Sequence, residues 1–226
     1  MTFFPSCSYN RSINDLGRYS SMSKVDDNKL QKRNSLLESA FSLFIQNGFA
    51  KTSISNIVDE ARVAKGTFYL YFKDKYDIRN HLITYKANQV FQNAYQFMLT
   101  HPEVTEFEDR LLLLTDHILN QLNDNHNLAR LISKNLSWGF FKNFLYTPPD
   151  SEHPSIYSIY EKLLSDAKDS YRDPDMMMYL ILELVSGSSY NAILFQEPVS
   201  LAELKPLLYE TIRGILRQHK EKPAEK

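Results

Sequence analysis

The segment from Thr52 to Lys75 constrains this chain most, because it is typical of two short helices set around a tight turn. Thr52 is a favourable N-cap residue, so a helix is expected to follow it. The apolar face of that helix consists of Ile54, Ile57, Val58 and Ala61. The next three residues, 62–64, leave room only for a turn.

The helix after this turn is predicted to run from about Lys65 to Phe72, with Phe68 and Phe72 facing a core. A first helix is predicted upstream, from about Asp27 to Gln46, and Asn47-Gly48 is a left-handed stop signal for it. The outward positions of the third helix are Lys65, Thr67, Tyr69 and Tyr71. Three helices whose third displays donors after a tight turn predict a helix-turn-helix, whose recognition helix lies in the major groove.

The run VAKGTFYLYFKDKYDI, after a helix ending in NGF, resembles the amino-terminal DNA-binding domain of TetR/AcrR-type transcriptional regulators. The resemblance covers residues 28–80 at the level of motifs, and the rest of the chain agrees in length and helical pattern. Two positions depart from the family pattern. Arg62 stands where a turn glycine is usual, and Ala64 stands where a serine-like cap is usual.

The resemblance implies a set of DNA contacts. Lys75 matches a phosphate-binding lysine at the start of the fourth helix, where the helix amides also face the phosphate. The hydroxyls of Tyr69 and Tyr71 match phosphate contacts, although either ring is also suited to core packing. Further phosphate contacts match Thr52, which is also a possible cap, and Ser53; base contacts match Lys65, Gly66, Thr67 and, on the second helix, Ser55.

The distribution of charge agrees with a DNA-binding amino-terminal part. The whole chain carries a formal charge of −1, but residues 24–80 hold 10 Lys/Arg against 7 Asp/Glu. Residues 81–226 hold 14 Lys/Arg against 19 Asp/Glu. Positive charge is therefore concentrated where DNA contact is expected.

Other function classes find little support in the sequence. Cys7 is the only cysteine, so an intramolecular disulfide and a cysteine-based zinc site are excluded, and a reducing cytoplasm is expected. No apolar run approaches a membrane span, and the first residues lack the features of a signal peptide. Neither phosphate-cradling glycines nor catalytic or metal-binding histidine spacings occur. We expect no cofactor, no metal site, no membrane association and no enzymatic activity.

The predicted fold is all-α, with a helix-turn-helix domain over residues 25–75 and a larger helical domain over residues 76–219 for ligand binding and dimerisation. Residues 1–24 are interpreted as a disordered arm or a mis-assigned translation start, and residues 220–226 as a charged tail. The larger domain is predicted to contain helices at about 75–99, 106–123, 128–145, 155–170, 174–196 and 201–217.

The resemblance also implies that the last two helices form a four-helix interface with a second copy of the chain, although both helices also suit an intradomain core. The candidate interface residues are Tyr190, Ile193, Leu204, Leu208, Ile212 and Ile215. It further implies a pocket between helices, in which a bound small molecule moves the fourth helix. The candidate pocket residues are Tyr95, Phe97, Met98, His117, Trp138, Phe141, Phe144 and Met177, any of which is equally suited to a core.

The sequence thus predicts a cytoplasmic, nucleoid-associated regulator. Its expected partners are a double-stranded DNA operator, a small-molecule effector and a second copy of itself. The most direct interpretation is a homodimeric repressor released from a palindromic operator by the effector. The alternative is an adaptor that uses the same fold to bind another protein, with DNA contact reduced at Arg62 and Ala64.

Overall fold

The structure, a computed structural model, describes residues 24–133 and 155–221 of the 226. These residues fold into α-helices. The described part of the chain also contains one isolated antiparallel β-bridge, between Tyr171 and Lys220. The helices are α1 (Lys24–Asn47), α2 (Ile54–Glu60), α3 (Lys65–Tyr71), α4 (Lys75–Leu99), α5 (Phe107–Asp124), α6 (His126–Ser133), α7 (Ile156–Ser165), α8 (Pro174–Phe195) and α9 (Leu201–His219).

Helices α1, α2 and α3 enclose a small core together with the first turns of α4. Helix α1 ends where predicted, because Gly48 adopts a φ of 78° and its N–H donates to the Phe44 carbonyl. Phe68 and Phe72 are buried, as their spacing predicts. The fully buried members of this core are Leu36, Leu37, Ala40, Ile57, Phe68, Ile78 and Leu82.

Helix α4 belongs to both cores of the molecule. Asp74 caps its first turn by accepting hydrogen bonds from the N–H groups of Tyr76 and Asp77. Ile78 and Leu82 pack in the N-terminal core, whereas Val90 and Ala94 pack in the larger C-terminal core. A displacement of α4 in the larger core therefore acts directly on the packing around α1–α3.

The C-terminal helices differ from the predicted ones mainly in their ends. Helix α7 ends at Ser165, five residues before the predicted Ser170, because Asp166 closes it and a loop leads to α8. Helix α6 is described to Ser133, and the remainder of the predicted helix at 128–145 lies outside the described residues. The carboxyl end of α9 is fixed to this loop by hydrogen bonds from the Arg172 N–H to the His219 carbonyl and from the Glu221 N–H to the Ser170 carbonyl.

Helix α8 begins as predicted, with Asp173 as N-cap and Pro174 in the first turn. Within the described ranges it is long and apolar enough to cross a membrane, judged by length and composition alone. The expectation that no segment reaches that length was therefore wrong. The same test is met by core helices of soluble proteins, and α8 contributes Met177, Ile181 and Ile193 to the larger core.

Candidate nucleic-acid interface and apolar cavity

Helix α3 turns one face to the core and the other to solvent. Phe68 anchors it, while Lys65 and Gly66 are exposed. Tyr69 is 54% exposed and Leu70 is 79% exposed. The outward residues predicted to reach DNA thus lie together at the surface, with an exposed leucine among them that suits an apolar contact with a thymine methyl group.

The two remaining predicted contacts on α3 are less exposed. Thr67 is half-buried, and its N–H donates to the Ala64 carbonyl in the first turn. Tyr71 is also half-buried and packs against the N-terminal core, with its ring 6.3 Å from that of Phe72. The ring of Tyr71 therefore contributes to core packing, one of the two roles that the sequence allowed.

The turn before α3 contains Arg62 and Ala64, the two departures from the family pattern. Arg62 has a φ of 55°, a left-handed conformation that costs a side-chain-bearing residue about 1–2 kcal/mol. The Val63 N–H donates to the Val58 carbonyl at 3.0 Å and closes the turn. Ala64 is the N-cap of α3, and no side-chain hydrogen bond caps this end. Both departures from the family pattern are accommodated with the turn intact.

The N-terminus of α2 differs from the prediction by one residue. Ser53, not Thr52, is the N-cap, and it forms a capping box with Asn56. Thr52 is 2% exposed, and its hydroxyl donates to the carbonyls of Leu43 and Gly48. The predicted phosphate contact from the Thr52 side chain is therefore wrong, because that side chain fastens α2 to the end of α1. Ser53 and Ser55 are exposed.

Lys75 has a different set of partners from the predicted one. Its ammonium group donates to the carbonyls of Phe49, Ala50 and Thr52 at 2.8, 3.3 and 2.9 Å. The same group lies 4.5 Å from the centre of the Phe49 ring. An ammonium has three hydrogens, so a phosphate contact would require one of these bonds to break. In this structure the Lys75 side chain ties the start of α4 to the loop between α1 and α2.

Two further cations adjoin the proposed interface, and the resemblance to the family did not identify them. Lys51 immediately precedes the α2 N-terminus, and Lys73 lies between α3 and α4; both are exposed. The concentration of positive charge over residues 24–80 was the signal that could have identified them. Exposed lysines of this kind suit sequence-independent phosphate contacts.

Charged groups join α1 to α4. The Lys86 ammonium donates to both carboxylate oxygens of Glu38 at 2.7 Å. Burial and the neighbouring Glu38 carboxylate raise the pKa of Tyr85 to about 12. Nearer the α4 N-terminus, His81 lies 3.5 Å from Arg33, and burial together with this guanidinium lowers the pKa of His81 although Asp77 opposes the shift. These contacts fasten α1 to the N-terminal half of α4.

An apolar cavity of about 110 Å³ lies between α4, α5, α7 and α8. Its walls include Phe91 and Tyr95 of α4 and Leu111, Leu114 and Ile118 of α5. A smaller space of about 60 Å³ adjoins it, because Phe91, Ile118, Leu182 and Val185 line both. Tyr160 also faces the larger cavity; burial raises the pKa of its hydroxyl, which donates to the Pro174 carbonyl.

Of the predicted pocket residues, Tyr95 lines the apolar cavity. Phe97 and His117 instead stack on each other with ring centres 4.2 Å apart. Met98 lines a polar recess that adjoins this cavity, and Met177 is fully buried in the core. Neither Met177 nor the stacked pair lines the apolar cavity itself. Trp138, Phe141 and Phe144 lie outside the described residues. The wall residues of α5 were missed, although Leu111, Leu114 and Ile118 follow helical spacing.

Helices α8 and α9 leave apolar side chains uncovered. Phe195 is 55% exposed and Leu207 is 65% exposed. Three residues predicted for a dimer interface, Ile193, Leu208 and Ile212, are buried within this chain, so the prediction for them was wrong. A single helical stripe does not distinguish a core within one chain from a contact between chains. Tyr190, Leu204 and Ile215 are half-buried.

Comparison with known proteins places these features in context. A family model described as bacterial regulatory proteins, tetR family, matches residues 36–82. The HTH-type transcriptional regulator YdgC of Bacillus subtilis is 30% identical over 183 residues, which is 76% of this chain and 88% of that protein. The fatty acid metabolism regulator protein of Bacillus subtilis is 31% identical over 101 residues, 45% of this chain and 50% of that protein. The chain thus spans about half the length of that relative. It spans 31% of the length of YuxN of Bacillus subtilis and 45% of that of the transposon Tn10 TetC protein of Escherichia coli.

Solved structures share the fold over most of the chain. The fatty acid degradation regulator FadR from Bacillus halodurans aligns with a TM-score of 0.58 at 20% identity, covering 80% of this chain and 97% of that one. FadR from Bacillus subtilis in complex with stearoyl-CoA aligns with a TM-score of 0.56 at 20% identity, covering 79% and 96%. These similarities show a common fold: an N-terminal helix-turn-helix followed by a larger helical domain.

Proposed function

The chain belongs to the TetR family of bacterial regulatory proteins, and we propose that it is a homodimeric repressor released from a palindromic operator by an acyl compound. It would act in the cytoplasm, on the nucleoid. The exposed face of α3 would read bases with Lys65, Gly66 and Thr67. Tyr69, Tyr71, Ser53 and Ser55 would supply contacts beside it, with Lys51 and Lys73 attracting the phosphates.

The apolar cavity carries the proposal for the effector. One water-sized sphere needs about 10–15 Å³, so a 110 Å³ cavity suits a chain of several carbon atoms better than a single small polar molecule. The adjoining 60 Å³ space extends it through shared walls. A regulator of the same fold binds stearoyl-CoA, and a fatty acid metabolism regulator is among the relatives. Both observations favour an acyl chain as the occupant.

Helix α4 offers the route from the cavity to DNA. Its residues Phe91 and Tyr95 line the cavity, and its Lys86 holds Glu38 of α1. An acyl chain bound between α4 and α5 would move α4 away from α5, and α1–α3 would be reoriented together with α4. Such an effector releases DNA only when it binds the form with misplaced α3 helices more tightly than the DNA-binding form.

Dimerisation would use the uncovered parts of α8 and α9, around Phe195 and Leu207. Gly187 and Gly214 have open space where a Cβ would lie, which allows a second helix to approach closely. A two-fold dimer would set two α3 helices about 34–36 Å apart, the spacing of successive major grooves on one face of DNA.

Fluorescence anisotropy of the full chain with the DNA upstream of its own gene, against scrambled DNA and at two salt concentrations, tests the proposal. We expect specific, salt-sensitive binding that dodecanoyl-CoA or dodecanoate reverses. Tyr69→Phe should weaken binding. Tyr76→Phe, at a tyrosine that is also exposed but lies outside the proposed contacts, should not. Binding no tighter than to scrambled DNA contradicts a repressor of this gene and favours the adaptor interpretation.

A further inference from the structure

A polar recess of about 180 Å³ adjoins the apolar cavity. The two spaces share Tyr95, Ile159 and Leu163 as wall residues. The smaller apolar space is joined to the main cavity through a different set of residues, which includes Phe91 and Ile118. The three spaces therefore follow one another through the domain, and the polar recess forms one end of the series.

The recess carries an excess of positive charge. Lys162 and Arg110 both line it, and both face Asp166, which supplies the one carboxylate among the described residues of its wall. The Lys162 ammonium lies 3.3 Å and the Arg110 guanidinium 3.7 Å from the same Asp166 oxygen. Two basic side chains thus share one carboxylate. A second carboxylate or a phosphate placed between them would gain charge-assisted hydrogen bonds from both.

Arg110 is held in place for such a contact. Its Nε donates to the Val104 carbonyl at 2.9 Å, which fixes the plane of the guanidinium at the start of α5. A guanidinium has five N–H donors. Among the described residues, the Val104 bond and the Asp166 contact engage Nε and Nη1, so the Nη2 side remains for an incoming anion.

The other end of the series has the opposite character. The smaller apolar space is lined by Glu183, Ser186 and Ser189 besides its apolar residues, and no Lys or Arg is among the described residues that line it. An anionic group is repelled by Glu183 and attracted at the recess. A chain with one charged end would therefore lie in one direction only.

We propose that the recess formed by Arg110, Lys162 and Asp166 binds the anionic head of an acyl ligand, whose tail runs past Tyr95 into the apolar cavity and ends near Glu183. This inference rests on the proposed function, because it orients the ligand proposed there. The head is either the carboxylate of a free fatty acid or the phosphates of an acyl thioester. Asp166 partly neutralises the recess in the ligand-free protein and competes with the head.

Isothermal titration calorimetry of the full-length protein with dodecanoate, dodecanoyl-CoA and uncharged dodecanol tests the orientation. We expect the anionic ligands to bind at least about tenfold more tightly than dodecanol. Lys162→Ala should weaken their binding by about tenfold and leave dodecanol unchanged. Asp166→Asn should tighten anion binding several-fold. Lys168→Ala, which removes another exposed lysine outside the recess, should change neither.

Lys162 is the primary variant because its side chain is 65% exposed and its loss leaves the core intact. Arg110→Gln serves as the second variant. A loss confined to dodecanoate identifies a carboxylate head, and one confined to dodecanoyl-CoA identifies its phosphates; both support the inference. Equal binding of dodecanol and both anions, unaffected by Lys162→Ala, overturns it while leaving the acyl-responsive function standing. Absence of binding by all three ligands contradicts the function itself.

Discussion

The N-terminal and C-terminal cores differ in how completely side chains fill them. The N-terminal core is small and filled by fully buried residues such as Leu36, Ile57 and Phe68. The C-terminal core surrounds an apolar cavity and leaves Phe195 and Leu207 exposed. A filled core holds the α3 surface in one orientation, whereas an incompletely filled one is suited to accept a ligand and a partner chain. Helix α4, shared by both, connects the closely packed core that carries α3 to the core that contains the cavity.

The largest expected effect comes from emptying the N-terminal core. Phe68→Ala removes the ring that anchors α3, and we expect it to lower the free energy of unfolding of this part by about 3–5 kcal/mol. Urea denaturation followed by circular dichroism measures the loss, and operator binding should disappear. Leu70→Ala, two residues away on the exposed face, should leave stability within about 0.5 kcal/mol of the parent chain. Equal stability of both variants would contradict the account of this core.

Adding volume should separate the two cores most clearly. Ile57→Phe in the filled core should cost about 1–3 kcal/mol of unfolding free energy. Ile118→Phe, at a wall of both apolar spaces, should cost little because the added atoms enter the cavity. It should instead weaken dodecanoate binding by about tenfold. Calorimetry and urea denaturation on both variants provide the comparison; a large stability loss in Ile118→Phe would mean that the cavity is already filled.

Two lysines near the exposed face of α3 should have different roles, one in stability and one in DNA binding. Lys75→Met removes three hydrogen bonds to backbone carbonyls and should lower stability by about 1–2 kcal/mol. Lys73→Met, its exposed neighbour, should leave stability unchanged and reduce the salt dependence of operator binding by about 1 in the logarithmic slope. If Lys75→Met kept normal stability and instead reduced the salt slope, the result would support the phosphate contact that the sequence predicts for Lys75.

The smallest expected effect is a pH dependence at the junction of α1 and α4. The folded protein lowers the pKa of His81, so below its ordinary value of about 6.5 the unfolded chain binds more protons than the folded one. Stability should therefore fall as the pH drops through that value. The loss should stay below about 1 kcal/mol because the side chain is partly exposed. In urea denaturation across this range, His81→Gln should flatten the dependence, and His126→Gln should not.

Local patterns predicted much of the N-terminal unit because its determinants lie close together in sequence. Gly48 stops α1, and Phe68 and Phe72 fill the core, as their positions in the sequence predict. The error at Thr52 was one of register. Two adjacent residues were both suited to cap α2, and only the contacts of Thr52 with Leu43 and Gly48 decide between them.

The remaining errors concern contacts between residues distant in sequence. Lys75 binds carbonyls more than twenty residues upstream, which its own helix does not indicate. Leu208 and Ile212 follow a regular stripe that fits a partner chain or an intrachain core equally well, and α5 and α8 supply the core. Four helices together form the cavity, so its wall residues do not follow from the residue type at single positions. Phe97 and His117, predicted for the pocket as aromatic residues, stack on each other instead.

The affinity of dodecanoate for the free protein and for the operator-bound protein, measured by calorimetry under one set of conditions, tests the coupling of the two cores most directly. Linkage requires that a ligand which weakens operator binding be weakened by the operator to the same degree. We predict a clear reduction of dodecanoate affinity in the operator complex, equal to the factor by which dodecanoate weakens operator binding. Identical affinity in both states would contradict the account, because the cavity would then be independent of the reading surface.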